Sequence, residues 1–376
     1  MIPVKKRIIV SVSNDIATDQ RVRKQCGELS RAGFEVVLLG RKLPESLGVE
    51  REYQVIRAKL PFNKGALFYA SLNVWLFFKL LFSKVDALWA NDLDTLPANA
   101  LVAGIRRRPL VYDAHEFFTE VPEIQDRPWV KKTWKWLESR FIGEADLVIT
   151  VNNSIAELLK KTYRLSEVMV VRNVPDNSGE FPKSSREDLG LPGAKTILIM
   201  QGSGINVDRG AEELVEAMRF VPDAVLIFVG GGDAIPNLKK EVKKKHLEDK
   251  VAFYPKMPYA EMMKYTAAAD LGITLDKDTN VNYRYSLPNK IFDYVRAGIP
   301  IIASDLPEVS KFVRENEVGF IVKGHDPRII GESIKSALEN QMKLAGYKEN
   351  AEKLRGELNW STEFEQVREL LIKLVC

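Results

Sequence analysis

The chain has 376 residues, 45% hydrophobic and 28% charged, with 55 Lys and Arg against 51 Asp and Glu, and two cysteines. This composition excludes disorder, collagen and coiled coil, and at ~150 residues per domain it implies two domains. A net charge of +4 without a basic tail or finger motif argues against a nucleic-acid partner, and Cys26 and Cys376 make neither a disulfide framework nor a zinc site, so a reducing cytoplasm is the expected compartment.

The opening MIPVKKRIIVSVSND has only a strand's length of apolar residues, too short for a signal-peptide core. RIIVSVS begins a series of short β-branched runs: EVVLLG, YQVIRA, ALWAN, PLVYDA, DLVITV and VMVVRN. Helical periodicity separates several of them, in DQRVRKQCGELSRAG, TLPANALVAGIR, WVKKTWKWLESRFIGEA and SIAELLKKTY. Most of the strand runs are continuously apolar. That is the pattern of a parallel sheet covered by helices on both faces. Residues 66–82, ALFYASLNVWLFFKLLF, form the most apolar window, interrupted by Ser71, Asn73 and Lys79. They fall short of the ~20 apolar residues a spanning helix needs, which predicts a buried or interfacial helix.

The alternation breaks at residues 172–195, rich in Pro, Gly, Ser and charge, which reads as an interdomain linker. A second strand series follows: TILIMQG, AVLIFVG, VAFYP, LGITL, PIIAS and GFIVK. Its helices are RGAEELVEAMRFV, AIPNLKKEVKKKH, YAEMMKYTAAA, NKIFDYVRAG and DPRIIGESIKSALEN. The last segment, STEFEQVRELLIKLV, predicts one amphipathic helix with Ser361 as its N-cap. The expected fold is α/β, with two tandem Rossmann-like doubly wound domains, 1–175 and 190–355, facing a cleft between the carboxyl ends of their sheets. Ligands in such sheets bind outside those ends, so residues just after strands are the site candidates.

Three loops qualify. In QGSGINVDRGAEELVEA, Gly202, Gly204 and Gly210 let the backbone approach a ligand, and Arg209 sits at a helix start, where free N–H groups and a guanidinium suit a phosphate; a Gly-rich turn with a solvated Arg is the alternative. The loop lacks the P-loop pattern and an in-register GxGxxG. In VGGGDAIPNL three glycines after a strand, Gly231 among them, permit close approach to a ligand, although taken alone they read better as a tight strand-to-helix turn. In NYRYSLPNKIFDYVRAGIPIIASD, Pro288 is placed in the first turn of a helix. The N–H groups of Ser286 and Leu287 are then expected to point toward the ligand, with Lys290 adding a cation. Asn289, Lys290 and Asp293 share a helix face, and the Asp293 carboxylate can accept both hydroxyls of a ribose.

These residues resemble a family 4 retaining glycosyltransferase of the GT-B fold. The family's helix ends in a pattern like E-A-x-A-x-G-x-P-V-V-A-S-D, and this chain reads D-Y-V-R-A-G-I-P-I-I-A-S-D from Asp293 to Asp305. Arg209-Gly210 stands where the family has Lys-Gly. Asp19-Gln-Arg21-Val22 and Gly33-Phe-Glu35-Val36 match its opening D-x-R-V and G-x-E-V, and His115 in YDAHEFF matches its mid-domain histidine. The chain departs where the family carries two glutamates seven residues apart, having Ser286 and Asp293. It departs again where the family has a phosphate-binding Arg, close to Gly204; Lys290 is the candidate replacement.

The resemblance implies transfer of a sugar, with retention, from a nucleotide diphosphate sugar, taken as UDP-linked, to a lipid-linked or saccharide acceptor. It implies no cofactor and no metal, because cations and a helix dipole support the leaving diphosphate. It also implies that the last helix, 361–376, crosses back to the first domain. His115 is the expected bond to a donor-sugar hydroxyl or the transferring centre. With Arg209 and Lys290 it makes up the expected catalytic set. Asp19, Arg21, Asp92 and Glu116 are the acceptor-side candidates. Asp92 and Asp94 in NDLD imitate a metal-binding D-x-D pair, but they are read as acids satisfying N–H groups at the start of the helix TLPAN. His246 and His325 are expected to be exposed. Trp129, Trp134 and Trp136 among lysines, together with Arg106, Arg107, Arg108 and the 66–82 helix, suggest peripheral contact with the inner face of an anionic membrane. A nucleotide-sugar epimerase and a non-catalytic nucleotide-sugar-binding subunit are the alternatives.

Overall fold

The computed structural model describes residues 5–17, 19–44, 46, 48–176 and 184–375; the middle of the expected linker, 177–183, and Cys376 lie outside these. The chain divides into two compact units, Met1–Asp176 with Trp360–Cys376, and Asn177–Asn359.

The first unit holds seven strands: β1 Arg7–Asp15, β2 Glu35–Arg41, β3 Gln54–Ala58, β4 Ala87–Asn91, β5 Leu110–Ala114, β6 Leu147–Thr150 and β7 Met169–Val170. They pair in parallel in the order β3-β2-β1-β4-β5-β6-β7. Every residue of β4 and β5 is buried, which is why these strands read as apolar runs broken only by Asn91 and Asp113. Strand order reverses between β1 and β4, so the chain beyond them, Ser13 and Asn91–Asp94, flanks the switch point where ligands enter such sheets.

The second unit holds β8 Thr196–Gly202, β9 Ala224–Gly230, β10 Val251–Tyr254, β11 Leu271–Thr274, β12 Ile301–Ser304 and β13 Gly319–Val322. Their order is β10-β9-β8-β11-β12-β13, again parallel throughout. Its switch point lies between β8 and β11. The loops that leave these two strands carry Gly202–Gly210 and Asp276–Pro288.

Among the described residues four helices fall outside the expected set: the single turns Pro122–Gln125 and Val281–Arg284, and the longer Pro307–Glu315 and Gln341–Glu357. Gln341–Glu357 buries only Ala351 and Leu354 along its 17 residues, so its sequence carries almost no apolar stripe. The segment expected as one terminal helix is two, Trp360–Glu363 and Glu365–Val375. Ser361 is not the N-cap: it lies inside the first of these, and its hydroxyl donates to Glu28. That turn is seated in the first unit. Trp360 stacks 5.6 Å from Phe364, Phe364 lies 5.9 Å from Trp89, and the Lys24 ammonium sits 4.4 Å from the Trp360 ring. Arg172 Nε donates to Glu363 Oε1 at 3.1 Å.

The apolar 66–82 stretch forms the helix Gly65–Leu81. Phe68, Leu72, Leu76 and Leu80, one per turn, are buried. Asn73 interrupts the apolar run because it caps a neighbour. Its Oδ1 accepts the Ala98 N–H at 3.1 Å and its Nδ2 donates to the Asp94 carbonyl at 2.8 Å. Asn73 therefore does what Asp92 and Asp94 were expected to do for the helix Leu96–Arg106. No helix among the described residues is long and apolar enough to cross a membrane.

Candidate active site

In the second unit the glycines divide by role. A Cβ on Gly230 would lie 1.9 Å from the Gly202 carbonyl oxygen, one on Gly232 2.1 Å from that of Ile205, and one on Gly210 2.1 Å from that of Leu275. These three are required for loop-on-loop packing. Around Gly204 and Gly231 no atom comes closer than ordinary contact, and at Gly202 the nearest is the Gly204 nitrogen, 3.9 Å away. The loops are tied by the Gly231 N–H, which donates to the Gly202 carbonyl at 3.0 Å, and by the Ile205 N–H, which donates to that of Gly231 at 2.9 Å. Of the glycines expected to let a ligand approach, Gly202, Gly204 and Gly231 have open space, whereas Gly210, Gly230 and Gly232 are filled by their own loops.

Arg209 lies at the centre. Its Nη1 donates to Asp276 Oδ2 at 2.7 Å, and the guanidinium stacks 4.0 Å from the Tyr283 ring. Burial works against its charge, but Asp276 and Tyr283 hold its pKa above the ordinary arginine value. Lys290 is half-buried. Burial pushes its ammonium below the ordinary lysine range; Asp276 opposes that shift and Arg209 adds to it. Arg209 is paired with Asp276, whose charge also acts on Lys290. Asp276 is fully buried, and its Oδ1 and the Arg209 Nε have no hydrogen-bond partner. His325, expected to be exposed, is half-buried at this spot. Its Nε2 lies 3.1 Å from the Leu275 carbonyl oxygen and 3.2 Å from that of Asp276, fixing the backbone under the Arg209 partner.

The helix that carries Lys290 is Asn289–Ala297. Pro288 is its N-cap, one position ahead of the expected first turn. The Ser286 N–H does not point at a ligand, since it donates to the Tyr283 carbonyl at 3.2 Å, and the Ser286 hydroxyl donates there too at 3.0 Å. Leu287 is half-buried and Asn289 exposed. Asp293 is buried, and both its oxygens accept from the protein, Oδ1 from the Tyr259 hydroxyl at 2.6 Å and Oδ2 from Gln201 Nε2 at 3.1 Å. Ribose hydroxyls would have to join bonds already made. Asp276, Tyr283, Tyr259 and Gln201 escaped the sequence reading. Asp276 was findable, being two residues past a strand end like the residues that were chosen.

In the first unit the residues after β1, β4 and β5 form a closed polar cluster. His115 Nδ1 lies 3.2 Å from Asp92 Oδ2, and Nε2 lies 3.1 Å from Asn91 Oδ1 and 3.6 Å from Asp113 Oδ2. Burial disfavours the imidazolium, but Asp92 and Asp113 raise its pKa well above the usual value. Both ring nitrogens have partners inside the unit, and the side chain is half-buried. Arg21 does not reach toward an acceptor. It is buried, grips Asp113 through Nη2–Oδ1 at 2.7 Å and Nε–Oδ2 at 3.1 Å, and donates to the Val171 carbonyl at 2.9 Å. Burial resists the Asp113 charge, yet Arg21 and His115 bring its carboxyl down to about 2. Asp19 is the N-cap of Gln20–Arg31, accepting the Val22 N–H at 3.0 Å. Glu116 is half-buried. Asp92, in the left-handed region at φ 58, accepts the His115 N–H at 2.9 Å. Burial and Asp92 raise Asp94 to about 7; its Oδ2 accepts from the Ser13 hydroxyl and its Oδ1 has no partner.

Two doubly wound parallel sheets, each with site loops at its switch point, give the chain the GT-B architecture. Solved structures of that fold superpose over almost the whole chain. Sucrose-phosphate synthase from Thermosynechococcus elongatus aligns at TM-score 0.81 and 19% identity over 98% of this chain and 99% of its own. HepE of Anabaena, solved with UDP-glucose, aligns at TM-score 0.75 and 18% identity over 98% and 100%. A chitobiosyldiphosphodolichol beta-mannosyltransferase of Yarrowia lipolytica is 24% identical over 92% of this chain and 82% of its own. The model for Glycosyltransferase Family 4 matches residues 19–176 and that for Glycosyl transferases group 1 matches 183–354. Between them they account for most of the chain, which belongs to the family 4 glycosyltransferases.

Proposed function

We propose that the protein moves a sugar from a UDP-sugar to a hydroxyl of a lipid-linked saccharide, with retention at the anomeric carbon. The observation that carries this reading is the Arg209–Lys290 pair at the β8/β11 switch point, beside three unobstructed glycines. The bond from the anomeric carbon to the diphosphate oxygen breaks, leaving its electron pair on that oxygen. The acceptor oxygen bonds to the same face, and its proton passes to the departing diphosphate. Arg209 and Lys290 stabilise the charge that develops there, which is electrostatic preorganisation rather than general-base catalysis. The reading assigns this task to the two side chains and to no metal ion.

Support for the donor comes from the HepE complex with UDP-glucose. Support for the acceptor comes from the Yarrowia relative, whose name specifies a dolichol diphosphate saccharide. That name also favours a second reading, a mannosyl donor and a β-linked product. Incubation of the purified protein with UDP-sugars, GDP-mannose and a lipid diphosphate disaccharide, with EDTA present, separates them by the anomeric coupling of the product. Retained configuration from a UDP-sugar is the expected result. A β-mannoside from GDP-mannose selects the second reading, and absence of transfer from every donor defeats both.

An acceptor in a bilayer needs an enzyme that can dock there. The helices Gly65–Leu81, Leu96–Arg106 and Pro128–Phe141 pack side by side in the first unit. They expose Leu67, Val74, Phe78, Ile105, Trp129 and Trp136, each more than half accessible, and Phe82 at 81%. Exposed Lys64, Arg107, Arg127 and Lys132 border them. Lys131 and Lys135 contribute less, since both bind Glu120, at 2.6 and 2.8 Å. We assign this face to peripheral contact with an anionic membrane at its inner surface. Flotation with vesicles containing phosphatidylglycerol is expected, with about tenfold weaker recovery after Phe78→Ser and Phe82→Ser together, since two exposed aromatics lose their insertion energy. Equal flotation of the variant, or none of the wild type, removes the membrane from the proposal.

A further inference from the structure

We propose that Asp276 is the positioning residue of the donor site: it aims Arg209 at the leaving diphosphate. This rests on the reading of that site given above. Unopposed, Arg209 and Lys290 repel each other, and burial adds to the cost of charge on Lys290. Asp276, on the loop after β11, answers both. It accepts from Arg209 Nη1 at 2.7 Å, and its field favours the Lys290 ammonium. The Tyr283 ring, 4.0 Å from the guanidinium, completes a clamp that fixes the plane of the fork. Only one of the five guanidinium N–H donors is needed for Asp276, and Nε is left without a partner. The charged and titratable groups around the pair are Arg209, Tyr283, Tyr294 and, under the Asp276 backbone, His325. With one negative charge against two positive, the site keeps a net attraction for a diphosphate while its cations stay ordered before the donor arrives.

The consequence is a separation of binding from turnover. Asp276→Asn removes a charge that competes with the diphosphate, so UDP binds at least as tightly as to wild type at pH 7, and up to about tenfold tighter. Turnover falls about 10- to 100-fold with no rise in KM, because Arg209 is no longer aimed. Calorimetric titration with UDP and transfer rates on wild type and Asp276→Asn read both. Turnover within about twofold of wild type, or UDP affinity that falls in step with turnover, overturns the proposal. Should that variant fail to fold, Asp276→Glu keeps the charge but shifts the fork, so UDP binding holds and turnover falls; unchanged turnover overturns the proposal equally. A wild type that binds no UDP defeats the donor-site reading itself.

Discussion

Arg209→Ala is expected to lower UDP affinity about 10- to 100-fold and sugar transfer about 100- to 1,000-fold. The first figure is the worth of charge-assisted hydrogen bonds to a phosphate, ~1.5–3 kcal/mol. The second is larger because the guanidinium acts most on the diphosphate as it departs and gains charge. A complication must be separated out. Arg209 is also the partner of Asp276, which is fully buried, and breaking a buried pair from one side costs ~3–5 kcal/mol of stability. The Arg209 side chain is 24% exposed and Lys290 remains nearby, so the loss falls toward the low end. The double variant Arg209→Ala with Asp276→Asn removes the stranded charge. It should recover most of the stability and none of the transfer. Arg209→Lys keeps the charge but loses the planar fork and the Tyr283 stack, placing it between the two. Melting curves, UDP titrations and transfer rates on the four proteins separate folding from chemistry. A folded Arg209→Ala that binds UDP and turns over within twofold of wild type would refute the site.

Arg209 and Lys290 were legible in the sequence because both stand close after signals that have a local cause. One follows a strand and a glycine-rich turn, the other a Pro at a helix start. Their partner was not, since pairing depends on which crossovers lie side by side. Arg209 and Asp276 are 67 positions apart and meet only because β8 and β11 are neighbours. The same limit misdirected Arg21. Its sequence position after the first strand suggested a reach toward substrate, yet the helix turns it inward to Asp113, 92 positions away. Asp19, two residues earlier, carried a plain capping signal that was passed over for a ligand role.

The strands were more legible than the helices. A buried parallel strand is apolar almost throughout: β4, β5 and β11 are buried end to end, and their polar exceptions, Asn91, Asp113 and Thr274, lie at or next to the strand ends. A helix needs only a stripe, and Gln341–Glu357 barely has one. Side-chain capping was legible only where donor and acceptor are adjacent in sequence. Asn73 caps a helix 25 positions on, so the polar break it makes in the apolar 66–82 stretch could not be interpreted from the sequence alone.

Arg21→Ala is expected to destabilise the first unit by about 3–5 kcal/mol, because it strands Asp113, only 2% exposed, beside His115. For a unit of this size that is a melting shift of roughly 10 °C. The loss includes the bond to the Val171 carbonyl and the 5.4 Å contact with Trp360, so the terminal turn loosens as well. The pH profile gives an independent check. Asp113 is held near 2 in the fold, below its unfolded value, so the stability it contributes is present above about pH 4 and disappears as pH falls toward 2. Without Arg21 that acid limb flattens. Asp94 and Glu138 act in the opposite sense. Burial, with Asp92 adding to it at Asp94, raises each to about 7, so the folded state holds their protons longer and stability falls as pH rises from about 4 to 7. His115, raised well above its ordinary value, adds stability that is complete below about pH 6.5 and is lost at higher pH as its proton leaves. The first unit of the wild type should therefore be most stable near pH 4–5, by about this reckoning. Urea unfolding at pH 3, 5 and 8, followed through the tryptophans, measures both the maximum and the Arg21→Ala cost. A cost under about 1 kcal/mol at pH 5 would mean that water replaces the guanidinium and that the pair is not the keystone of this unit.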